Sequence, residues 1–208
     1  MKYHSFFVMA LTAFILMLAF HSTHAQIFHR ENKETAEQFA RKNLHVKQWA
    51  HPVIETVAWG SKKTILAFIP FKKTLSAESS ELENCIIGYL FSPIHAGNYH
   101  RAVIDTFHEE GAAPAIAGVF FVNADKDKER EMVIMVKWRQ QHKGSNGYVY
   151  DSFIYDNPNL QSSENTFTSL KKFRGKFLDA DGSFEGKERM AKYKTPQSVR
   201  AALKRMGY

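Results

Sequence analysis

Ile116-Ala117-Gly118-Val119-Phe120-Phe121-Val122-Asn123-Ala124-Asp125-Lys126-Asp127-Lys128-Glu129-Arg130-Glu131-Met132-Val133-Ile134-Met135-Val136-Lys137-Trp138 holds the two most apolar runs of the chain on either side of a charged turn. Runs of this length suit strands better than helices, and Val119, Phe120, Phe121, Val122, Val133, Ile134, Val136 and Trp138 are the β-branched and aromatic residues that favour a pleated surface. The connection is far too short for a crossover helix, so the two strands are expected to lie antiparallel, at the centre of a sheet.

Outward from this centre, further β-prone runs fall at 64–71, 84–91, 99–107 and 148–155, again separated by polar turns and not by helices. In 99–107 the alternation is imperfect: Tyr99, Val103 and Phe107 share a face with Arg101 and Asp105. The Asn-Gly pair inside Lys143-Gly144-Ser145-Asn146-Gly147 predicts a hairpin turn there. Helical signals flank the strands. Thr35-Ala36-Glu37-Gln38 has the form of a capping box and opens an expected helix over 35–44. Near the end, Thr195 can cap and Pro196 suits the first helical position, while Val199, Ala202, Leu203 and Met206 follow at helical spacing. A short helix is expected over 166–173. The fold class expected is α+β: an antiparallel β-sheet with N-terminal and C-terminal helices packed on it.

The first 25 residues read as a secretory signal peptide. Lys2 is their only charge, an apolar run of about 15 residues follows, and small residues at Thr23 and Ala25 precede an expected cut after Ala25. A membrane-spanning helix needs roughly 20 apolar residues, so no transmembrane segment is expected after signal cleavage. Residues 26–208 are expected to form a single soluble domain, periplasmic or secreted from a bacterial envelope. They carry 27 basic and 21 acidic side chains, a net charge near +6. That excess favours a protein partner or an anionic polysaccharide. Nucleic acid is not expected of an exported chain without a basic stripe. Cys85 is the sole cysteine, which excludes an intramolecular disulfide and reads as a small buried hydrophobe.

The turn at 123–131 places oxygen-bearing side chains at alternate positions, as a calcium loop does. Asn123, Asp125, Asp127, Glu129 and Glu131 are therefore candidate metal-ligating residues. The spacing resembles the calcium loop of the integrin-type β-propeller repeats. That resemblance implies side-chain ligation by Asn123, Asp125, Asp127 and Glu131, with Glu129 offering its carbonyl. Lys128 replaces the family's glycine, and the loop occurs once. A charged turn kept soluble by alternating signs is the other reading of the same residues. Val119 to Asp127, together with the ending Lys194-Thr195-Pro196 to Tyr208, also resembles small exported bacterial proteins of unknown function. Asp179-Ala180-Asp181-Gly182-Ser183 reads as a second acidic turn without the closing glutamate of an EF-hand loop, since Met190 stands there.

Catalytic signatures are missing from the sequence. There is no Gly-x-Ser-x-Gly elbow and no phosphate-cradling loop, and no histidine stands near Cys85 in sequence, so zinc is not indicated. Tyr148, Tyr150, Phe153 and Tyr155 crowd one strand beside Trp138, and cross-strand packing is expected of them over stacking on sugars. The function expected is a non-enzymatic exported binding protein. A cell-wall-directed hydrolase with a dispersed active site and a calcium-structured module are the alternatives. The only cofactor expected is Ca2+ at 123–131, if any.

Overall fold

Thr35 opens the first helix, α1 (Ala36–Leu44), as its capping box predicts: the Gln38 amide donates to Thr35 Oγ1 and the Thr35 amide donates back to Gln38 Oε1. His45 closes it in the left-handed region at φ 52°. The second helix, α2 (Pro196–Arg205), begins on Thr195 with a reciprocal pair to Ser198 and ends on Lys204 and Arg205, whose charges suit a helix C-terminus. The computed structural model describes residues 26–75, 80–125, 127–156, 158 and 167–208. The expected leader, 1–25, lies outside the described residues. No helix among them is long and apolar enough to cross a membrane.

Among the described residues, ten strands form two antiparallel sheets. The first contains β1 (Ile27–His29), β2 (His51–Thr56), β3 (Thr64–Thr74), β4 (Leu82–Pro93) and β5 (Asn98–Phe107), in the order β1-β5-β4-β3-β2. The second contains β6 (Pro114–Val122), β7 (Glu131–His142), β8 (Ser145–Tyr155), β9 (Asp179–Phe184) and β10 (Lys187–Arg189), as β10-β9-β8-β7-β6. The α+β class stands, but strands dominate, and one sheet has become two.

The reason lies in strands that are apolar on both faces. In β3, Leu66 and Phe68 join Ile86, Leu90, Ile104 and Phe107 in a cluster with Met132, Ile134, Val136 and Trp138 of β7, so the inner faces of the sheets meet. Ile65 and Ala67 of the same strand point the other way, into a cluster with Phe91, Tyr99, and Phe39 and Ala40 of α1. Val133 and Met135 of β7 likewise share a cluster with Val199, Ala202 and Leu203 of α2. Period-two alternation is lost where both faces are buried. Phe39 is wholly buried, a burial that contributes about 1.5–3 kcal/mol.

Four local expectations change. Of the two strands expected at the centre of a sheet, β7 lies inside the second sheet but β6 is at its edge. The hairpin before β8 turns on Lys143-Gly144, because His142 pairs with Ser145 and Gly144 takes φ 84°. Asn146-Gly147 lies within the strand. Gly147 faces Gly182 on β9, where a Cβ would stand 2.3 Å from the Asp181 carbonyl oxygen, so glycine there serves close backbone approach and not a turn. The acidic segment 179–183 is the strand β9: its carboxylates receive the returning chain, Asp179 from the Lys192 amide and Asp181 from the Ala191 amide. The expected helix over 166–173 shrinks to a 3-10 turn at Lys171–Phe173, with Phe173 buried among α2 residues, and residue 166 lies outside the described residues.

Candidate metal centre

The turn between β6 and β7 is organised by its own carboxylates. Asp125 Oδ1 accepts from the Asp127 amide at 3.0 Å, and Asp127 Oδ1 accepts from the Glu129 amide at 2.9 Å. The Asn123 side-chain amide donates to the Asp127 carbonyl at 2.7 Å. At the neck, the Ala124 amide donates to Glu131 Oε2. Trp59, from the connection between β2 and β3, donates its indole N–H to the Arg130 carbonyl at 2.6 Å and packs edge-on against Phe121. The turn is thereby tied to the first sheet as well as the second.

These bonds bring Asp125, Asp127 and Glu131 together, and add Asp156, just beyond β8. One carboxylate oxygen from each of the four lies within 4.8 Å of the others. Asp156 arrives because Met132 of β7 pairs with Tyr155, which sets the end of β8 beside the start of β7. Its main chain is fixed by a 2.9 Å bond from its amide to the Thr168 carbonyl. Of the other candidates read from the sequence, Asn123 braces the turn through its side-chain N–H, and Glu129, expected to offer its carbonyl, has an exposed side chain outside the carboxylate group.

Glu131 is the unusual member. Its side chain is wholly buried, and Oε1 has no hydrogen-bond partner among the described residues. An uncompensated buried carboxylate is costly. Burial pushes the Glu131 carboxyl up, opposed by the Ala124 amide and assisted by the charges of Asp125 and Asp127. Desolvation also raises Asp127, with Asp125 and Glu129 adding repulsion. Four convergent carboxylates form a hard, all-oxygen donor set, which suits Ca2+ or Mg2+ and not a thiolate-seeking metal.

Elsewhere the charged clefts are neutralised internally. An open cleft lined by Arg30, Glu34, Glu55 and Lys63 contains the Arg30–Glu55 pair at 2.5 Å and the Lys63–Glu55 pair at 3.5 Å. Between the sheets, the buried Tyr155 phenol donates to Asp105 Oδ2 at 2.6 Å, and burial pushes the Asp151 carboxyl up. The aromatics of β8 divide by face. Phe153 and Tyr155 enter the inner core, whereas Tyr148 takes Lys137 and Arg139 over its ring at 5.2 and 5.0 Å. Cys85, with no histidine near it in sequence, has one near it in space: His108 Nδ1 lies 3.7 Å from Cys85 Sγ, 23 residues away. Antiparallel register, invisible to a search for local spacing, makes that approach.

Comparison of the chain with family models, with curated proteins and with solved structures finds no match to any of them, so its fold and its carboxylate centre are described from its own residues alone.

Proposed function

We propose that the chain is an exported, non-enzymatic binding module whose turn between β6 and β7 is organised by Ca2+. The observation that carries the cation is Glu131: a wholly buried carboxylate with one unpartnered oxygen, in a group completed by Asp125, Asp127 and Asp156. A divalent ion offsets both the burial of that charge and the repulsion among the four. Calcium fits better than magnesium, because carboxylates on an irregular turn supply the variable geometry that calcium accepts and magnesium resists. The ion would pin the turn to Asp156, drawing the ends of β6, β7 and β8 together.

The binding role draws on charge and surface. The excess of basic residues favours an acidic protein or an anionic polysaccharide. Tyr148 with Lys137 and Arg139 offers a ring flanked by cations, suited to an acidic sugar.

Thermal unfolding in calcium and in chelator tests the cation. A ligand at a hundred times its dissociation constant stabilises by about 2.7 kcal/mol, so the Tm is expected to rise by several degrees. Asp125→Ala combined with Asp127→Ala is expected to abolish the rise. Equal Tm values in saturating calcium and chelator would remove the ion from the account.

A further inference from the structure

A second cluster of metal-ligating side chains lies in the first sheet. Glu83 and Cys85 are two residues apart on β4, so strand alternation places them on one face. The register Ile86↔Phe107 then sets His108, just past the end of β5, opposite Cys85. His108 Nδ1 lies 3.7 Å from Cys85 Sγ and 3.1 Å from each carboxylate oxygen of Glu83. A sulfur and a carboxylate donor thus converge on one ring nitrogen.

We propose that Glu83, Cys85 and His108 form a site for a borderline-soft divalent metal of the zinc class, bound through Oε, Sγ and Nδ1. The spacing fits. With Zn–S near 2.3 Å and Zn–N and Zn–O near 2.0–2.2 Å, tetrahedral ligands stand about 3.6 Å apart for S and N and about 3.4 Å apart for N and O. The observed 3.7 and 3.1 Å differ from these by no more than a side-chain rotation supplies. Hydrogen bonding among the three is incomplete by comparison. One Nδ1 faces both oxygens of Glu83 and the Cys85 thiol, a set that a single proton cannot satisfy, and the thiol's other contact is the Glu83 carbonyl at 3.9 Å. A cation at the shared point satisfies all three at once.

The surroundings suit the task. Cys85 is only 2% exposed, whereas the His108 side chain is 45% exposed, so the thiol is shielded and the imidazole gives a solvent entry. Trp138 donates its indole N–H to the His108 carbonyl at 2.8 Å, fixing the backbone that carries the ring. Glu109 is anchored on Asn84 beside the cluster, adding negative charge that attracts a cation; without one, burial and the Glu83 charge push the Cys85 thiol up, opposed by Lys73. Three protein ligands leave a fourth position for water or for a ligand atom. Binding needs the thiolate and an unprotonated Nδ1. The Cys85 proton therefore leaves to solvent as the metal enters, the imidazole's one remaining proton is carried on Nε2, and affinity falls as pH falls. This donor set contains sulfur and nitrogen, which separates it from the all-oxygen centre at Asp125, Asp127, Glu131 and Asp156.

Cobalt(II) titration of the reduced protein, read by absorbance, tests the site. One equivalent is expected to bring a thiolate-to-cobalt charge-transfer band in the near ultraviolet and visible d–d bands of tetrahedral intensity, both bleached by Zn2+. His108→Ala is expected to weaken binding about tenfold or more, and Cys85→Ser to abolish the charge-transfer band. Because His108 is half exposed and its carbonyl bond to Trp138 is main-chain, the alanine variant tests the site even if the serine variant fails to fold. Asp125→Ala with Asp127→Ala is expected to leave the band unchanged. Cobalt uptake without a charge-transfer band, or a band that survives His108→Ala undiminished, overturns the proposal.

Discussion

Ala124 and Glu131 meet across the neck of the turn between β6 and β7, and both are wholly buried. The Ala124 amide donates to Oε2, while Oε1 has no partner among the described residues. A carboxylate so placed is penalised for its charge unless a cation joins it.

Glu131→Gln is therefore expected to act oppositely with and without the ion. The amide keeps an acceptor for Ala124 and carries no charge, so in chelator the variant should be more stable than the parent by on the order of 1 kcal/mol. In calcium it should be the less stable of the two. Denaturant unfolding under both conditions reads the sign. A variant weaker than the parent in chelator removes the burial penalty from the argument.

The same carboxyl sets a pH dependence. Burial raises the folded-state pKa of Glu131. Its ionisation costs the calcium-free protein stability as pH rises above the unfolded value, and that cost is full above the folded value. Calcium should accordingly raise the Tm most near neutral pH, and the rise should fade as pH drops into the carboxylate range. A calcium shift that is constant from pH 7 down to pH 4 contradicts this.

Tyr155 and Asp105 join the two sheets through a partly buried hydrogen bond. Tyr155→Phe removes the donor and leaves Asp105 Oδ2 without it, at an expected cost of about 1–3 kcal/mol. Equilibrium unfolding of the variant measures it, and an unchanged midpoint shows that water replaces the phenol.

Gly147→Ala should damage the second sheet selectively, since its Cβ meets the Asp181 carbonyl oxygen at 2.3 Å. Amide exchange in β8 and β9 is expected to accelerate, with β3 and β4 unaffected. Gly175→Ala is an informative contrast: the site is open in space, yet φ is 70°, so its cost is backbone strain alone, about 1 kcal/mol.

Much of this architecture is legible in the sequence. Thr35 and Thr195 announced their helices through local chemistry, and the runs around Leu66, Ile86, Ile134 and Phe153 announced strands. The division into two sheets could not be read, because Ile65 and Leu66 look alike in sequence while burying on opposite faces. β1 carries too few residues to show a period, and in β2 a register shift between His51 and Ile54 breaks it. Asp179 and Asp181 looked like a turn because acids with glycine usually are one; here they receive main-chain amides from 191 and 192. Of the carboxylate centre, Asp125, Asp127 and Glu131 were visible as a spacing. Asp156 was not, since only the pairing of β7 with β8 brings it there, as the pairing of β4 with β5 brings His108 to Cys85.

The most direct measurement is a crystal structure of the protein grown with calcium and examined by anomalous scattering. One peak is expected about 2.3–2.6 Å from oxygens of Asp125, Asp127, Glu131 and Asp156, with Glu131 Oε1 among the ligands. Well-ordered carboxylates with no peak between them, at a calcium concentration that raises the Tm, would place the ion elsewhere and contradict that expectation.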